Sequence, residues 1–311
     1  MKRILLIGGG GTLGTYTAKE LLSLGHRVDI LCPEEKHSDH ERLTFYQGYG
    51  TEDFLEQHFA TRHYDGIVNF IHYPEIESYP PIHQLLMAHT DHLIVLSSYR
   101  VYADEQHPVT ETAPMLLDVS TDRAFIETEK YAISKAKLEK YLRAECKGQP
   151  WTIVRPVISF SWRRFDLVTY YQDLLKRIDD QQIIPLPTAA KHLGAGLDWA
   201  GNSGKLIAHL LFKEQAFGEA FTVSSAQNLT WGEVAELYAE LLDAKFRWVS
   251  TEEYLEATNN CNYYALLYDR LFDRTIDNRK ILRVTGLTPA DFTPIKEGLQ
   301  IELKILKENL K

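Results

Sequence analysis

The stretch Ile7-Gly8-Gly9-Gly10-Gly11-Thr12-Leu13-Gly14 lies between a predicted strand, residues 3–7, and a predicted helix, residues 15–24. Glycines at such a junction let the backbone turn tightly and approach a pyrophosphate, whose charge the helix N-terminus stabilises. Two registers fit, a G-x-G-x-x-G pattern that begins at Gly9 and a G-x-x-G-x-x-G pattern that begins at Gly8. A P-loop is excluded because no Lys-Ser or Lys-Thr pair follows at the required spacing. The stretch therefore predicts a dinucleotide-binding loop rather than a glycine-rich turn without a ligand.

Apolar and amphipathic segments alternate through the first half of the chain, and helical segments predominate after Pro156. Alternation of this kind is typical of a parallel sheet with helices on both faces. We predict an α/β fold with a doubly wound parallel (Rossmann) sheet in residues 1–157. Residues 158–311 are predicted to form a smaller, mostly helical substrate-binding region that is partly interleaved with the first. The further strands are predicted at residues 28–31, 44–47, 66–71, 92–96, 151–155 and 221–224, and the further helices at residues 52–63, 81–89, 121–146, 167–180, 203–212, 231–243 and from residue 293.

Composition narrows the class of protein. Of the 311 residues 44% are hydrophobic and 25% are charged, a balance that excludes a disordered or fibrous chain. The net charge of −9 repels a phosphate backbone, so we expect no nucleic-acid partner. No apolar run approaches the roughly 20 residues that span a bilayer, so we expect no membrane partner. Three widely spaced cysteines predict a reducing, cytoplasmic setting, and neither they nor the histidines have the spacing of metal ligands.

Two further motifs carry functional groups. Tyr131 and Lys135 are four residues apart, so on a helix they share one face, and the ammonium can stabilise a phenolate. Tyr131 would then serve as a general acid or base. Taken alone this pattern is most often a solvated helix face. However, Ser97 and Ser98 follow a predicted strand, at the edge of the sheet where α/β folds bind ligands. The three motifs together predict one site.

These motifs, with Val154-Arg155-Pro156, resemble the extended short-chain dehydrogenase/reductase superfamily and, within it, the NAD-dependent epimerase/dehydratase group. The resemblance implies that Ser98 is the catalytic serine, that Tyr131 is the acid/base, and that Lys135 binds the nicotinamide ribose. It implies an oxidoreductase or epimerase that moves a hydride between nicotinamide and a small-molecule hydroxyl or carbonyl substrate, such as a sugar or sugar nucleotide. It also implies a homodimer formed through the helices at residues 81–89 and 121–146.

The same resemblance assigns the cofactor, NAD or NADP, to a set of residues along the chain. They are Gly8, Gly11, Thr12, Leu13, Gly14, Cys32, Phe70, Tyr131, Lys135 and Pro156.

The chain departs from the family pattern at the end of its second strand. An acid there would bond the adenosine ribose and select NAD, but Cys32 occupies this position. Glu34 or Glu35 could substitute for it, and no arginine is placed for a 2′-phosphate. The choice between NAD and NADP therefore stays open.

Three other departures concern the rest of the site. Tyr49 stands where the family has an aspartate near the adenine, and we expect it to stack on that ring. Ile71 replaces a small residue and is expected to narrow the approach to the nicotinamide. Ile158 replaces an asparagine that contacts nucleotide sugars. The departures at Cys32, Tyr49 and Ile71 favour an alternative, a non-catalytic dinucleotide sensor. The intact set of Ser98, Tyr131 and Lys135 argues against it. A third alternative, an RNA-binding family member, is disfavoured by the net charge.

Overall fold

The computed structural model describes residues 1–169, 174–259 and 263–309, so the predicted helical stretch at residues 170–173 and Cys261 lie outside the described residues. The strands, in chain order, are β1 (Arg3–Ile7), β2 (Arg27–Cys32), β3 (Leu43–Gln47), β4 (Gly66–Asn69), β5 (Leu93–Leu96), β6 (Trp151–Pro156), β7 (Ile158–Phe160), β8 (Ile183–Pro187), β9 (Leu197–Trp199), β10 (Glu219–Val223) and β11 (Lys245–Val249).

The helices are α1 (Thr12–Ser23), α2 (Glu52–Phe59), α3 (Tyr79–Ala88), α4 (Leu116–Val119), α5 (Arg123–Thr128), α6 (Lys130–Glu145), α7 (Leu174–Asp179), α8 (Ala200–Leu210), α9 (Trp231–Leu242), α10 (Thr251–Ala257), α11 (Tyr263–Ala265), α12 (Arg279–Thr285) and α13 (Ile295–Asn309). Short 3₁₀ turns occur at Ile76–Ser78, Tyr99–Val101, Thr188–Ala190, Glu214–Ala216 and Pro289–Asp291, and a π turn occurs at Leu266–Arg270. Within the described residues, none of these helices is long and apolar enough to cross a membrane.

The main sheet confirms the doubly wound α/β prediction. Its strands are parallel and follow the order β10-β6-β5-β4-β1-β2-β3. Both faces of β1 are buried, since Ile4 and Leu6 join one apolar cluster while Leu5 and Ile7 join another. The strand order reverses between β1 and β4, and a crevice at this switch point is where such sheets bind ligands.

The second half of the chain contributes to the main sheet as well as to a separate cluster. β10 pairs with β6 at the sheet edge, and α8 packs against α1. The pairs β7–β9 and β8–β11 are parallel and surround an apolar cluster of their own. The division of the chain near residue 157 stays a prediction.

Two predicted helices have different bounds in the structure. The single helix predicted over residues 121–146 is wrong, because Glu129 is extended (φ −77°, ψ 95°) and separates α5 from α6. The Glu129 carboxylate accepts hydrogen bonds from the backbone N–H groups of Tyr131 and Ala132 at 2.8 and 3.0 Å, so it acts as the N-cap of α6. The helix predicted over residues 167–180 does not include residues 167–169, which are not helical. Because of the break at Glu129, Tyr131 lies in the first turn of α6.

Candidate active site

The glycine-rich loop has the geometry of a phosphate-binding turn. Gly8 has a φ of +70°, which favours glycine. A Cβ atom at Gly14 would lie 2.4 Å from Gly9 Cα, so only glycine allows α1 to approach the loop so closely. At Gly11, the N-cap of α1, a Cβ atom would meet nothing within 4 Å, and no side chain caps the first N–H groups. The loop at the switch point therefore fits a dinucleotide pyrophosphate.

A cleft of about 450 Å³ opens beside this loop, within the size range of small-molecule sites. Most of the predicted site residues line it: Gly8, Gly11, Thr12, Leu13, Gly14, Phe70, Ser98, Tyr131 and Pro156. Cys32 and Lys135 do not line it, since each is only 1% exposed. The structure thus gathers residues from β1, β4, β5, β6 and α6 at one edge of the sheet.

Ser98 and Tyr131 face this cleft from two different elements. Ser98 follows β5, and its Oγ accepts a hydrogen bond from the Arg100 backbone N–H at 3.2 Å. The Tyr131 ring is flanked by the imidazole of His72, 5.1 Å between centroids, and by the guanidinium of Arg100, 5.3 Å from the ring centroid. His72 Nε2 is in turn hydrogen-bonded to Ser134 Oγ at 2.7 Å. The phenol ring is therefore held between two neighbours, one of them a cation.

Lys135 lies one turn after Tyr131 on α6. Its Nζ donates hydrogen bonds to the carbonyl oxygens of Leu96 at 2.5 Å and Ile71 at 3.4 Å. Leu96 is the last residue of β5 and lines the cleft, and Ile71 lies two residues after β4, so the ammonium lies beneath the cleft at the carboxyl edge of the sheet. Burial lowers the pKa of Lys135 to about 7, against the opposing effect of the Glu139 charge.

A buried ion pair supports Lys135 and the serines from below. Glu139 and Arg155 are both fully buried and paired, with Arg155 Nε 2.9 Å from Glu139 Oε1. The same carboxylate oxygen accepts a hydrogen bond from Ser97 Oγ at 2.5 Å, and Arg155 Nη1 donates to Tyr102 Oη at 2.7 Å. The network joins β5, α6 and β6, and so fixes the elements that carry Ser98 and Lys135.

Sequence reasoning missed Arg100, Asp269 and Arg270 in the charged wall of the cleft, whereas Arg164 was a candidate for binding an anionic substrate, with a solvated basic pair as the alternative. This wall contains Arg100, Arg164, Asp269 and Arg270. Asp269 Oδ2 lies 2.7 Å from Arg270 Nη1 and 3.6 Å from Arg100 Nε. Burial raises the pKa of the Asp269 carboxyl, but the neighbouring arginines outweigh it and hold that pKa below its ordinary value. The position of Arg100, two residues after Ser98, was a signal in the sequence that could have identified it. No local sequence pattern distinguishes Asp269 and Arg270, which lie in the π turn.

The residues at which the chain departs from the family pattern occupy different surroundings. Cys32 is buried beneath Gly10, with its Sγ 3.1 Å from a Cβ atom built there. Tyr49 is 71% exposed. Ile71 packs against the apolar cluster under the sheet, and Phe70 rather than Ile71 lines the cleft. Ile158, which replaces the asparagine of the family pattern, lines the cleft.

A doubly wound sheet with a glycine-rich loop at its switch point defines a dinucleotide-binding α/β protein. The chain belongs to the NAD-dependent epimerase/dehydratase family, since the model of that family matches residues 4–178, more than half of the chain. This membership confirms the resemblance to extended short-chain dehydrogenases and the prediction of a nicotinamide dinucleotide cofactor. It also supports an enzyme of the epimerase type.

Curated relatives match parts of the chain. A UDP-glucose 4-epimerase of Neisseria meningitidis serogroup A is 27% identical over 183 residues, which cover 50% of this chain and 51% of the relative. The serogroup B enzyme of the same name is 35% identical over 81 residues, 22% of this chain and 24% of the relative. The chain thus spans about half or less of the length of the curated relatives it matches.

Solved structures match nearly the whole chain. An epimerase of Methanothermobacter thermautotrophicus superposes with a TM-score of 0.75 at 16% identity, covering 99% of this chain and 93% of the other. The enzyme WbmH of Bordetella bronchiseptica in complex with NAD⁺ gives 0.71 at 16% identity, covering 99% of each chain. A UDP-glucose 4-epimerase of Thermotoga maritima with UDP-glucose gives 0.70 at 13% identity, covering 99% and 100%. At these identities the likeness establishes the fold.

Proposed function

We propose that this protein catalyses an epimerase-type reaction in which Tyr131 is the acid/base, assisted by Ser98 and Lys135. One observation carries the proposal. Ser98 and Tyr131 line the same cleft as the glycine-rich loop, and Lys135 lies beneath it. The loop, Ser98 and the helix that carries Tyr131 and Lys135 are three separate parts of the chain. A protein that only senses a dinucleotide needs no acid/base beside the cofactor.

The chain's own groups have distinct tasks in this proposal. The bound cofactor supplies a nicotinamide C4 that accepts and returns a hydride. The Tyr131 Oη removes the proton from a substrate hydroxyl during oxidation and returns it during reduction. The Ser98 Oγ donates a hydrogen bond to the same substrate oxygen. The positive charges of Lys135 and Arg100 stabilise the Tyr131 phenolate, Arg100 over the face of the ring.

For the substrate we propose a sugar or sugar nucleotide. The names of the curated relatives support this class. The wall of the cleft adds support, because Arg100, Arg164 and Arg270 line it and can donate hydrogen bonds to the hydroxyl and phosphate oxygens of such a substrate. The carboxylates of Glu129, Asp166 and Asp269 pair with these arginines. Ile158 supplies an apolar contact where a nucleotide-sugar enzyme has an amide.

The test is the Tyr131→Phe variant. Removing a general acid/base is expected to lower kcat by about 10²- to 10⁴-fold. Turnover of a panel of UDP- and dTDP-sugars would be followed by product analysis, and the affinity for the dinucleotide would be measured by calorimetry. We expect turnover to be lost and dinucleotide affinity to change by less than about twofold, since a single hydroxyl is removed outside the phosphate site.

The matched control is Tyr141→Phe, the same chemical change on the same helix. Tyr141 packs against the apolar cluster under the sheet and does not line the cleft. It should keep full turnover. Undiminished turnover in the Tyr131→Phe variant would exclude Tyr131 as the acid/base.

We further propose a homodimer formed through α3 and α6, the helices that the family resemblance indicated. Sedimentation equilibrium measures this directly, and a mass equal to that of one chain across the micromolar range would exclude it.

A further inference from the structure

The segment that follows β4 packs against the face of α6 that carries the candidate active-site groups. Tyr131, Ser134 and Lys135 share this face, because Ser134 and Lys135 come three and four residues after Tyr131 on one helix. The Lys135 ammonium donates to the Ile71 carbonyl oxygen at 3.4 Å, and the next residue, His72, contacts both Ser134 and the Tyr131 ring. All three residues of this helix face therefore contact the same short segment.

Tyr131 receives little support from its own helix. α6 begins directly after the extended Glu129, so Tyr131 lies in its first turn. Side chains of a helix lean toward its N-terminus and cover the preceding turn. A ring in the first turn has no preceding turn of its own helix to pack on. Neighbours from other elements must therefore fix the orientation of the Tyr131 phenol.

His72 supplies one of these neighbours. Its imidazole lies 5.1 Å from the Tyr131 ring, centroid to centroid, at an interplanar angle of 60°. Rings at this separation are in direct contact. The second neighbour is Arg100, whose guanidinium lies 5.3 Å from the centroid of the same ring. The imidazole and the guanidinium together restrict how the phenol can rotate.

Ser134 fixes the imidazole in turn. Its Oγ lies 2.7 Å from His72 Nε2 and donates a hydrogen bond to the Tyr131 carbonyl oxygen at 3.0 Å. Ser134 is only 3% exposed, so water has little access to this hydroxyl. The contacts form a closed chain, from the Tyr131 ring to the imidazole, to the Ser134 hydroxyl and back to the Tyr131 backbone. A shift of the imidazole therefore changes the support of the phenol.

We propose that His72 and Ser134 are positioning residues, which hold the Tyr131 phenol at the angle that brings its Oη to the substrate hydroxyl. The inference rests on the proposed function and deepens it, since Tyr131 is the acid/base there. Neither positioning residue lines the cleft, so both act through Tyr131. Proton transfer needs the two oxygens within hydrogen-bond reach, and a misplacement of about 1 Å can cost about 100-fold in rate.

The experiment measures kcat, KM and dinucleotide affinity on the panel of UDP- and dTDP-sugars. His72→Ala removes the ring that contacts the phenol and should lower kcat by about 10- to 100-fold. KM and dinucleotide affinity should change by less than about twofold, because the binding contacts remain. His72→Gln keeps a planar group that can hydrogen-bond to Ser134, so it should retain kcat to within about threefold.

A double-mutant cycle tests whether the two residues act together. Ser134→Ala releases the imidazole and should lower kcat by about three- to tenfold. Because this effect acts through His72, it should disappear in the His72→Ala background, so the two effects on kcat should not add. All variants should melt within about 2 °C of the unaltered protein, which separates the loss of kcat from a loss of structure.

His63→Ala and Ser23→Ala are the matched controls. His63 is an exposed histidine that precedes β4, at the edge of the sheet opposite to the cleft. Ser23 of α1 donates from its Oγ to the Glu20 carbonyl oxygen at 2.8 Å, the same bond within a helix that Ser134 makes. Both controls should keep the kcat of the unaltered protein.

Three outcomes would overturn the inference. Unchanged kcat in His72→Ala would show that His72 does not position the phenol. Equal losses of kcat in His72→Gln and His72→Ala would show that the hydrogen bond to Ser134 is irrelevant. Additive effects in the cycle would show that Ser134 acts independently of His72. If the unaltered protein turned over no sugar of the panel, the proposed function would fall together with this inference. Turnover that Tyr131→Phe abolishes and His72→Ala leaves intact would remove this inference alone.

Discussion

Replacing Glu139 by Gln should both destabilise the fold and alter the site above it. The Glu139 carboxylate is fully buried and accepts hydrogen bonds from Arg155 and from Ser97. The substitution keeps the size of the side chain but leaves the Arg155 charge buried without its counter-charge. Breaking a buried ion pair in this way costs about 3–5 kcal/mol.

That cost can be converted into a melting temperature. An unfolding entropy of about 2.1 cal/mol/K per residue gives ~0.65 kcal/mol/K for a chain of 311 residues. The Glu139→Gln variant should therefore melt about 5–8 °C below the unaltered protein in differential scanning calorimetry. Glu145→Gln, the same change at an exposed position of the same helix, should alter the free energy of unfolding by no more than about 0.5 kcal/mol.

A double-mutant cycle and a pH profile separate this account from a general loss of packing. With Arg155→Met present as well, the guanidinium that Glu139→Gln leaves unpaired is absent, so the double variant should lose less stability than the two single variants added together. Glu139 also raises the pKa of Lys135 against the effect of burial. Its removal should therefore shift the alkaline limb of kcat to lower pH. A Glu139→Gln variant that melts within about 1 °C of the unaltered protein, or a fully additive cycle, would refute the reasoning.

Two further predictions follow from the glycine-rich loop and from Lys135. In the loop, Gly14→Ala should destabilise the fold because its Cβ would lie 2.4 Å from Gly9 Cα. Gly11→Ala should keep the normal melting temperature but lose dinucleotide binding, because its Cβ would enter only the open space at the N-terminus of α1. Calorimetric melting and titration of both variants check this, and normal binding by Gly11→Ala would contradict it. For Lys135, burial lowers the pKa from 10.5 in the unfolded chain to about 7 in the folded protein. Between these pH values the unfolded chain binds more protons than the folded protein does. The contribution of Lys135 to the free energy of unfolding therefore rises as the pH rises from 7 to 10.5. Urea titrations at several pH values between 7 and 10.5 measure the free energy of unfolding. Lys135→Met should lack the rise with pH, and Lys137→Met, which changes an exposed lysine, should keep it. The same dependence of the free energy of unfolding on pH in both variants would contradict the prediction.

The parts of the fold and site that the sequence predicted are the local ones. The glycine-rich loop was predictable because a tight turn between a strand and a helix imposes its residue type position by position. The spacing of Tyr131 and Lys135 was informative because one helix carries both. The strands of the first half were found because parallel strands buried on both faces are apolar throughout.

What escaped prediction depends on contacts between distant segments. Arg163 meets Gly10 only because the turn at residues 161–164 docks on α1 and on Glu302 of the last helix. Asp269 and Arg270 reach the cleft through a π turn, which the hydrophobic periodicity of the sequence does not predict. Glu129 has good helix propensity, and its extended conformation is fixed by the two backbone N–H groups that its own carboxylate caps. In each case a tertiary or capping interaction overrides the local preference.

The most direct test of the account is a thermal-shift titration with NAD⁺, NADH, NADP⁺ and NADPH, carried out in parallel on the unaltered protein and on Gly11→Ala. A ligand that binds only the folded state at 100 times its Kd adds about 2.7 kcal/mol, which corresponds to a rise of ~4 °C in melting temperature for a chain of this length. The account predicts a rise of that size that grows with concentration for the unaltered protein, and none for Gly11→Ala. A folded protein whose melting temperature moves with none of the four nucleotides would contradict it.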